Sequence, residues 1–389
     1  MLSTSAAGGA GVPGTGAYAT ALDAWLAANP DVVAEVRRPV HPYAERVRAM
    51  CRLMARLYDE GWSRYGWPEA VGGLGGTILH RAAMWDALAR HGVRGMAVFE
   101  HLEVLAPTLA AMGPQPLVAQ LFPKFLSGRE LWCQGFSEPA AGSDLASLRT
   151  RARPDGDGYS ITGRKIWTSW ARYATWCLLL ARTGAAESRH RGLTAFVVDL
   201  RSPGVQVSAI EQANGTDELA EVAFDEVYVP AGRVVGDVGG GWAVAMHILS
   251  HERGTFAWFR HCFLYRHVAN VVRVAGAKDD ALVAGDRALG DAVLDLAAVS
   301  ATSAAGLRTH AEESPLGPRA AFTKLLLCAA EQSVNDWALA ADPDLAIGVQ
   351  DAENAWVREE YLFSRIVTVY GGSQQMQLET IAKQILRLP

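Results

Sequence analysis

Residues 18–129 of the chain carry the polarity pattern of helices. It is clearest at 45–58, where charged and apolar residues mix at helical spacing. Trp67-Pro68-Glu69-Ala70-Val71-Gly72-Gly73-Leu74-Gly75-Gly76 is a loop by composition. A helical pattern returns at 77–91, and a short amphipathic piece at 117–126 is ended by Ser127-Gly128. From Trp132 the texture changes. Asp155-Gly156-Asp157-Gly158 separates two short runs, 148–153 and 159–162, as a hairpin turn does. The stretches 174–182, 193–200, 205–208 and 220–229 are apolar and of strand length, and 230–241 is a loop ending in three glycines. Beyond Trp242 the pattern predicts helices at 242–251, 256–274, 284–309, 318–341 and 355–369. Helices, a small all-β unit and helices again give an α+β multidomain chain. Its expected parts are a flexible Gly/Ala/Ser-rich tail at 1–16, a helical domain at 17–131, a β-domain at 132–236 and a second helical domain at 237–389.

At 389 residues, half of them apolar and 20% charged, the chain can bury a large core. A net charge of −5 gives no electrostatic footprint for nucleic acid. No apolar run approaches the roughly 20 residues that span a bilayer, and no basic segment followed by an apolar one opens the chain. No membrane association and no signal peptide are expected. Cys51, Cys133, Cys177, Cys262 and Cys328 are an odd number without a CxxC pair, so a reducing, cytoplasmic setting without disulfides is expected. His247, His251 and His261 lie close in sequence, but without the spacing of a metal site.

Two nearby segments carry the chemistry. Phe136-Ser137-Glu138-Pro139-Ala140-Ala141-Gly142-Ser143-Asp144 is a run of small residues that lets a backbone approach a flat ring or a phosphate. Gly163-Arg164-Lys165-Ile166-Trp167-Thr168-Ser169 ends a strand-like stretch with an indole and two hydroxyls. A third, Tyr370-Gly371-Gly372-Ser373-Gln374-Gln375-Met376-Gln377, precedes an amphipathic stretch ending Leu386-Arg387-Leu388-Pro389. In order and spacing the three segments resemble the FAD-dependent acyl-CoA dehydrogenase family from about Trp67 to the C-terminus. That resemblance implies an N-terminal helical domain, a small β-barrel-like domain and a C-terminal four-helix bundle.

It also implies a flavin site. Main-chain groups at Gln134, Phe136 and Ser137 would meet the pyrimidine edge and N5, with the Ser137 hydroxyl close by. Trp167 would lie against the ring, with Thr168 and Ser169 reaching N5 or O4. Gly142 and Ser143 would sit near both the flavin and the substrate pantetheine. Ser373 and Gln375 match flavin-contacting positions, and Gly372 would let a thioester or ring come close. Ser373 also reads as a plain helix N-cap, and both roles can hold together.

Dehydrogenating an acyl thioester requires a desolvated carboxylate that removes the α-proton while hydride leaves the β-carbon for flavin N5. One branch of the family takes that carboxylate from the C-terminal turn, where this chain has Gly371. Another takes it from a Glu-Arg pair on the helix after the β-domain. Glu252-Arg253 matches that pair, with Glu252 as base and Arg253 as its cationic neighbour. The expected activity is oxidation of an acyl-CoA or acyl-carrier-protein thioester to the trans-2-enoyl thioester. Electrons would go to an electron-transfer flavoprotein or a similar acceptor.

Two family features are missing. The arginine that reaches the flavin pyrophosphate across the dimer has only Arg273 and Arg287 as candidates, and the glycine-rich adenine loop is replaced by 344–350. Such losses resemble heteromeric members with bulky substrates. Homo- or hetero-oligomers are therefore both expected, with a half-site partner subunit and a flavin oxidase or monooxygenase as the alternative functions. The aromatic residues Phe256, Trp258, Phe259, Phe263 and Tyr265 would either shape a pocket for a bulky substrate or pack as core, and core is the favoured reading.

Overall fold

The computed structural model describes residues 11–37, 42–94, 102–278, 286–312, 317–344 and 352–389. The N-terminal domain is helical: α1 Thr15–Ala28, α2 Asp31–Arg37, α3 Tyr43–Asp59, α4 Ile78–Arg90, α5 Ala106–Met112 and α6 Gln115–Leu126. In α3 the apolar stripe Val47, Met50, Leu53, Met54 and Leu57 faces the core. The helix α4 starts where Thr77 caps it, accepting from the Leu79 N–H while the His80 ring accepts from the Thr77 N–H. The other His80 nitrogen meets the Pro13 carbonyl at 2.9 Å. The inner end of the expected tail is therefore pinned, and Thr15 and Gly16 already belong to α1; residues 1–10 lie outside the described residues.

Eight strands form the central domain: β1 Trp132–Gly135, β2 Arg151–Asp155, β3 Gly158–Lys165, β4 Trp176–Arg182, β5 Leu193–Asp199, β6 Val205–Ile210, β7 Leu219–Pro230 and β8 Val234–Val235. They lie in the order β6-β7-β3-β2-β4-β5-β8, with β1 alongside β4. The path has two ends, β6 and β8, so the barrel-like sheet stays open. The β2–β3 hairpin closes at Asp155 and Gly158, with Gly156 at φ +57°, as its turn sequence predicts. The short β8 falls inside the stretch read as a loop. Every residue of β4 is buried because the strand is covered on both faces. Cys177 and Leu179 pack into the β-domain's own core, and Leu178 and Leu180 into the helical core.

The C-terminal domain holds α7 Gly241–Lys278, α8 Arg287–Ala311, α9 Ala320–Ala341, α10 Ala352–Ser364 and α11 Gln374–Thr380, followed by one π-turn at Ile381–Ile385. Three expectations need correction here. The two helices predicted at 242–251 and 256–274 are one. Gly254 costs a helix about 1 kcal/mol relative to Ala, and the burial of Thr255, Phe256 and Ala257 beside it carries the chain through. The helix α10 stops at Ser364 rather than 369, giving way to the turns that carry Tyr370 to Gly372. Finally, α8 is by length and composition apolar enough to cross a bilayer, with a mean hydropathy of 1.3 over 18 residues. It nevertheless packs Leu296, Val299 and Leu307 inward, while Val293 and Leu294 stay exposed.

Buried polar groups tie these helices together. Arg260 of α7 donates to Glu331 of α9 at 2.7 Å and to Glu360 of α10 at 3.2 Å. Of the aromatic residues on α7, Phe256, Phe259 and Phe263 are core as expected, whereas Tyr265 is exposed. His247 and His251 of α7 and His310 of α8 form a ladder, with ring centroids 4.9 and 4.8 Å apart. Thr108 of α5 bonds His247 at 2.8 Å, and His261 stands apart from the ladder, beside Trp258.

Burial, reinforced by His310 and His247, pushes the His251 imidazole down to about 2. Between that value and its unfolded value of roughly 6.5, the unfolded chain binds a proton that the folded chain refuses. Stability is therefore lost as pH falls through this window. His251 alone is expected to cost about 2 kcal/mol at about pH 5 relative to about pH 7.5. Chemical denaturation at the two pH values measures it, and His251→Phe should flatten the difference.

Candidate active site

The first two segments lie where two strands of the sheet run out. The first follows the end of β1 and the second follows the end of β3, and the backbone joins them: the Ile166 N–H donates to the Ser137 carbonyl at 3.0 Å. Beneath this bond sits a buried ion pair. Lys165, without exposed surface, donates to the Phe136 carbonyl at 3.0 Å and to Glu138 at 2.8 Å. Glu138 also accepts the backbone N–H groups of Arg149 and Thr150 at 2.6 and 2.8 Å. Burial pushes the Glu138 carboxyl up, but Lys165 and the amides outweigh it and hold the group below its ordinary value. The first turn also closes on itself, Glu138 and Ala141 exchanging backbone bonds at 2.9 and 3.0 Å.

Above this clamp the chain opens outward. Trp167 sits at φ +60°, a left-handed conformation that a bulky residue adopts only under constraint. Its indole is 57% exposed. Backbone pairing resumes at once, since the Thr168 N–H donates to Ala220 at 2.9 Å and the Trp170 N–H to Glu218 at 2.7 Å. Only the indole is thrown out of the sheet. The Thr168 hydroxyl beside it is buried without a hydrogen-bond partner. Gly142 and Ser143 are exposed, and a Cβ at Gly142 would meet nothing within 4 Å. An uncovered indole, an orphaned buried hydroxyl and an open glycine turn fit a flat heteroaromatic ring with polar edges. Gln134, Ser137 and Ser169 flank the same place, half-buried. Phe136 differs from expectation in one respect: its side chain is buried and its carbonyl is taken by Lys165, so neither is free for a ligand.

Trp167→Gly should therefore leave the flavin-free protein as stable as the parent or more so, because it removes about 1–3 kcal/mol of backbone strain. It should also weaken flavin retention. Denaturation of the flavin-free protein and the bound-flavin absorbance ratio of the holoprotein test the two halves.

The third segment faces α7. Glu252 is half-buried, with Oε2 shut off from solvent and without a hydrogen-bond partner. Gly371, at φ +66°, lies against it: a Cβ built there would stand 3.0 Å from Glu252 Oε1. Glu252 thus occupies the volume that a side chain at position 371 would take. Burial pushes its carboxyl up, while Lys324 and Arg253 pull it down, and the net shift is upward. Arg253 reaches toward the Gly371 carbonyl at 3.5 Å. A Cβ at Gly372 would be 3.2 Å from the same guanidinium. Ser373 caps α11, accepting from the Met376 N–H at 3.3 Å. Gln375 points to solvent on the first turn of α11.

The sequence reading missed two residues here. Gln377, without exposed surface, donates to the Gly371 and Gly372 carbonyls at 3.3 and 2.9 Å and so fixes the turn. Lys324 of α9 is 2% exposed, with its ammonium 3.6 Å from the centre of the Tyr370 ring. Gln377 lay inside a recognised segment and could have been singled out as a polar residue on the inner face of a capped helix. Lys324 had no local signal. Arg273 and Arg287 are both exposed, and all but the first residue of 344–350 lies outside the described residues.

Comparison with known proteins agrees with this geometry. The chain matches the acyl-CoA dehydrogenase N-terminal domain over residues 27–129, the middle domain over 133–227 and the C-terminal domain over 239–386. It is 38% identical to the acyl-CoA dehydrogenase IpdE1 of Mycobacterium tuberculosis, over 86% of each chain. To the acyl-CoA dehydrogenase FadE29 of the same organism it is 29% identical, over 93% of each. Among solved structures it resembles the Tcur3481-Tcur3483 steroid acyl-CoA dehydrogenase, with a TM-score of 0.81 at 26% identity over 96% of this chain and 98% of that one. It shares its fold with the ChsE4-ChsE5 complex of Mycobacterium tuberculosis, with a TM-score of 0.76 at 23% identity over 98% and 99%. A Glu-Arg pair at the turn that lacks its own carboxylate, an exposed indole over an orphaned hydroxyl and three matching domains in sequence lead to one assignment: this chain belongs to the acyl-CoA dehydrogenase family of FAD-dependent oxidoreductases acting on CH–CH groups.

Proposed function

We propose that this protein oxidises the α,β-bond of an acyl-CoA thioester with Glu252 as the base. The observation that carries the reading is the convergence of Glu252 Oε1 on the space above Gly371. A carboxylate stands there although the turn supplies none. Glu252 takes the α-proton, its partly desolvated carboxylate being a stronger base than one in water. Arg253 and Gln377 hold the Gly371–Gly372 turn, whose missing side chains leave room for the thioester. Trp167, Thr168 and the Gly142–Ser143 turn hold the cofactor, with Gln134, Ser137, Ser169, Ser373 and Gln375 around it. Bound FAD supplies the hydride acceptor.

The similarity to a steroid acyl-CoA dehydrogenase supports a bulky, ring-bearing acyl group as the first substrate class to test. An electron-transfer flavoprotein or similar acceptor takes the electrons. Carriage of the acyl group on a carrier protein is the variant to test beside CoA. Five free thiols support a reducing compartment such as the cytoplasm. Anaerobic mixing of the yellow holoprotein with a panel of acyl-CoAs tests the reading. Loss of the visible flavin band with some thioester supports it, and retention of the band with every thioester refutes it.

A second reading has its own support. Val293 and Leu294 on α8, and Leu378, Leu386 and Leu388 at the C-terminus, are exposed apolar side chains. They suit a subunit that completes its site with a different chain. Co-expression with a sister chain, and turnover only by the mixture, would favour this hetero-oligomer over a homo-oligomer.

A further inference from the structure

Lys324 has no part in the expected chemistry of this fold, yet its setting is unusual. The side chain is 2% exposed and its Nζ has no hydrogen-bond partner. A buried ammonium without partners is costly unless something nearby stabilises its charge. Here two things do. The ammonium lies 3.6 Å from the centre of the Tyr370 ring, a desolvated cation–π contact. Its stem also lies beside the base: the point above Gly371 that is 3.0 Å from Glu252 Oε1 is 3.6 Å from Lys324 Cε. Carboxylate and lysine thus flank one small volume, from α7 and α9 respectively, and Tyr370 and Gly371 close it from the C-terminal turn. Glu331, on the same helix as Lys324, also acts on it; that carboxylate accepts from Arg260 on Oε1 at 2.7 Å and keeps Oε2 buried without a hydrogen bond. Each of the two groups, Glu252 Oε2 and Lys324 Nζ, is buried and lacks a hydrogen bond.

We propose that Lys324 is a positioning residue for the dehydrogenation: it keeps Glu252 ionised inside the desolvated cleft and holds the Tyr370–Gly371 turn against it. This rests on Glu252 being the base. Burial by itself pushes the carboxyl toward its protonated form, which cannot take a proton. The groups that act on it are Lys324 from α9 and Arg253 from its own helix. Lys324 in turn feels Cys328 and Glu331 on α9, Glu252 and Arg260, and Tyr370 covers it from the turn. Lys324 is the only one of the two cations on Glu252 that comes from outside α7. It therefore couples the position of α9 to the readiness of the base.

The test is the pH dependence of kcat/KM in Lys324→Met and Lys324→Arg holoproteins beside Glu252→Gln. Met keeps the length and the contact with the Tyr370 ring but removes the charge. Its acid limb is expected to move to higher pH, because a carboxyl without its cation protonates more easily. The rate on the acid side should fall about tenfold, and more than on the alkaline side. Arg should keep the limb near that of the parent. Flavin content and denaturation midpoint are read in parallel, since a merely structural lysine would move these and leave the limb in place. An unmoved limb in Lys324→Met, with Glu252→Gln inactive, overturns the proposal. Glu252→Gln retaining full activity overturns the assignment of the base instead.

Discussion

Glu252→Gln is expected to lower kcat by about two to four orders of magnitude while the protein keeps its flavin and its fold. The amide matches the carboxylate in shape but cannot take the proton. Oε2 makes no hydrogen bond, so no hydrogen-bond partner is stranded; Lys324 and Arg253 lose a counter-charge, and a modest loss of stability is expected without loss of the fold. Rapid-mixing absorbance under anaerobic conditions separates the two effects: flavin still bound, but not reduced by the substrate. Glu252→Gln reduced at the parent's rate would sink the assignment. A second variant sharpens it. In Glu252→Gly the volume beside Gly371 is vacated, and adding Gly371→Glu returns a carboxylate from the opposite wall. The left-handed backbone there, φ +66°, charges the new residue about 1–2 kcal/mol. The double variant should still be about tenfold faster than Glu252→Gly alone, since a misplaced base is better than none.

The largest effect on stability should come from Lys165→Met. It strands the Glu138 carboxylate in a site that is 6% exposed and removes the donor that holds the Phe136 carbonyl. Breaking a buried pair from one side costs about 3–5 kcal/mol. The same change loosens the turn that faces the cofactor, so flavin should also be lost during gel filtration. Lys165→Met combined with Glu138→Gln should recover part of the stability, because no buried charge is then left unpaired. Equal denaturation midpoints for the single variant and the parent would show that the pair does not hold the domain.

The cofactor face was largely readable because its residues are consecutive and each segment has local meaning. Small residues make the turn, an indole marks the strand end, and glycines precede a capped helix. The strands were readable for a similar reason: β4 and β5, buried on both faces, are continuous apolar runs. What escaped the reading depends on long-range packing. The helices expected at 242–251 and 256–274 leave a gap around Gly254, where buried neighbouring side chains outweigh the glycine's local preference. Lys324 has an ordinary helical sequence around it and acquires its meaning only when α9 lies across α7 beneath Tyr370. The Lys165–Glu138 clamp was half visible. Both residues stood in recognised segments, but that they face each other follows from the pairing, in which β1 and β2 share one edge of β4 and β3 runs on past the start of β2.

The unbroken course of α7 also limits how the cleft can open. A hinge at Glu252 would cost several consecutive backbone hydrogen bonds of a helix pinned by Arg260 to α9 and α10. The base is therefore carried on a rod about 57 Å long and cannot swing aside to admit a thioester. Admission falls to the turn after α10, which has two left-handed glycines, is tied by side chains to Arg253 and Gln377, and is closed by one backbone bond from the Gln374 N–H to the Thr368 carbonyl at 2.9 Å. Amide hydrogens along the middle of α7 should exchange with solvent only when the whole domain opens. Those around Gly371 and Gly372 should exchange through local fluctuation, slowed when a thioester occupies the cleft.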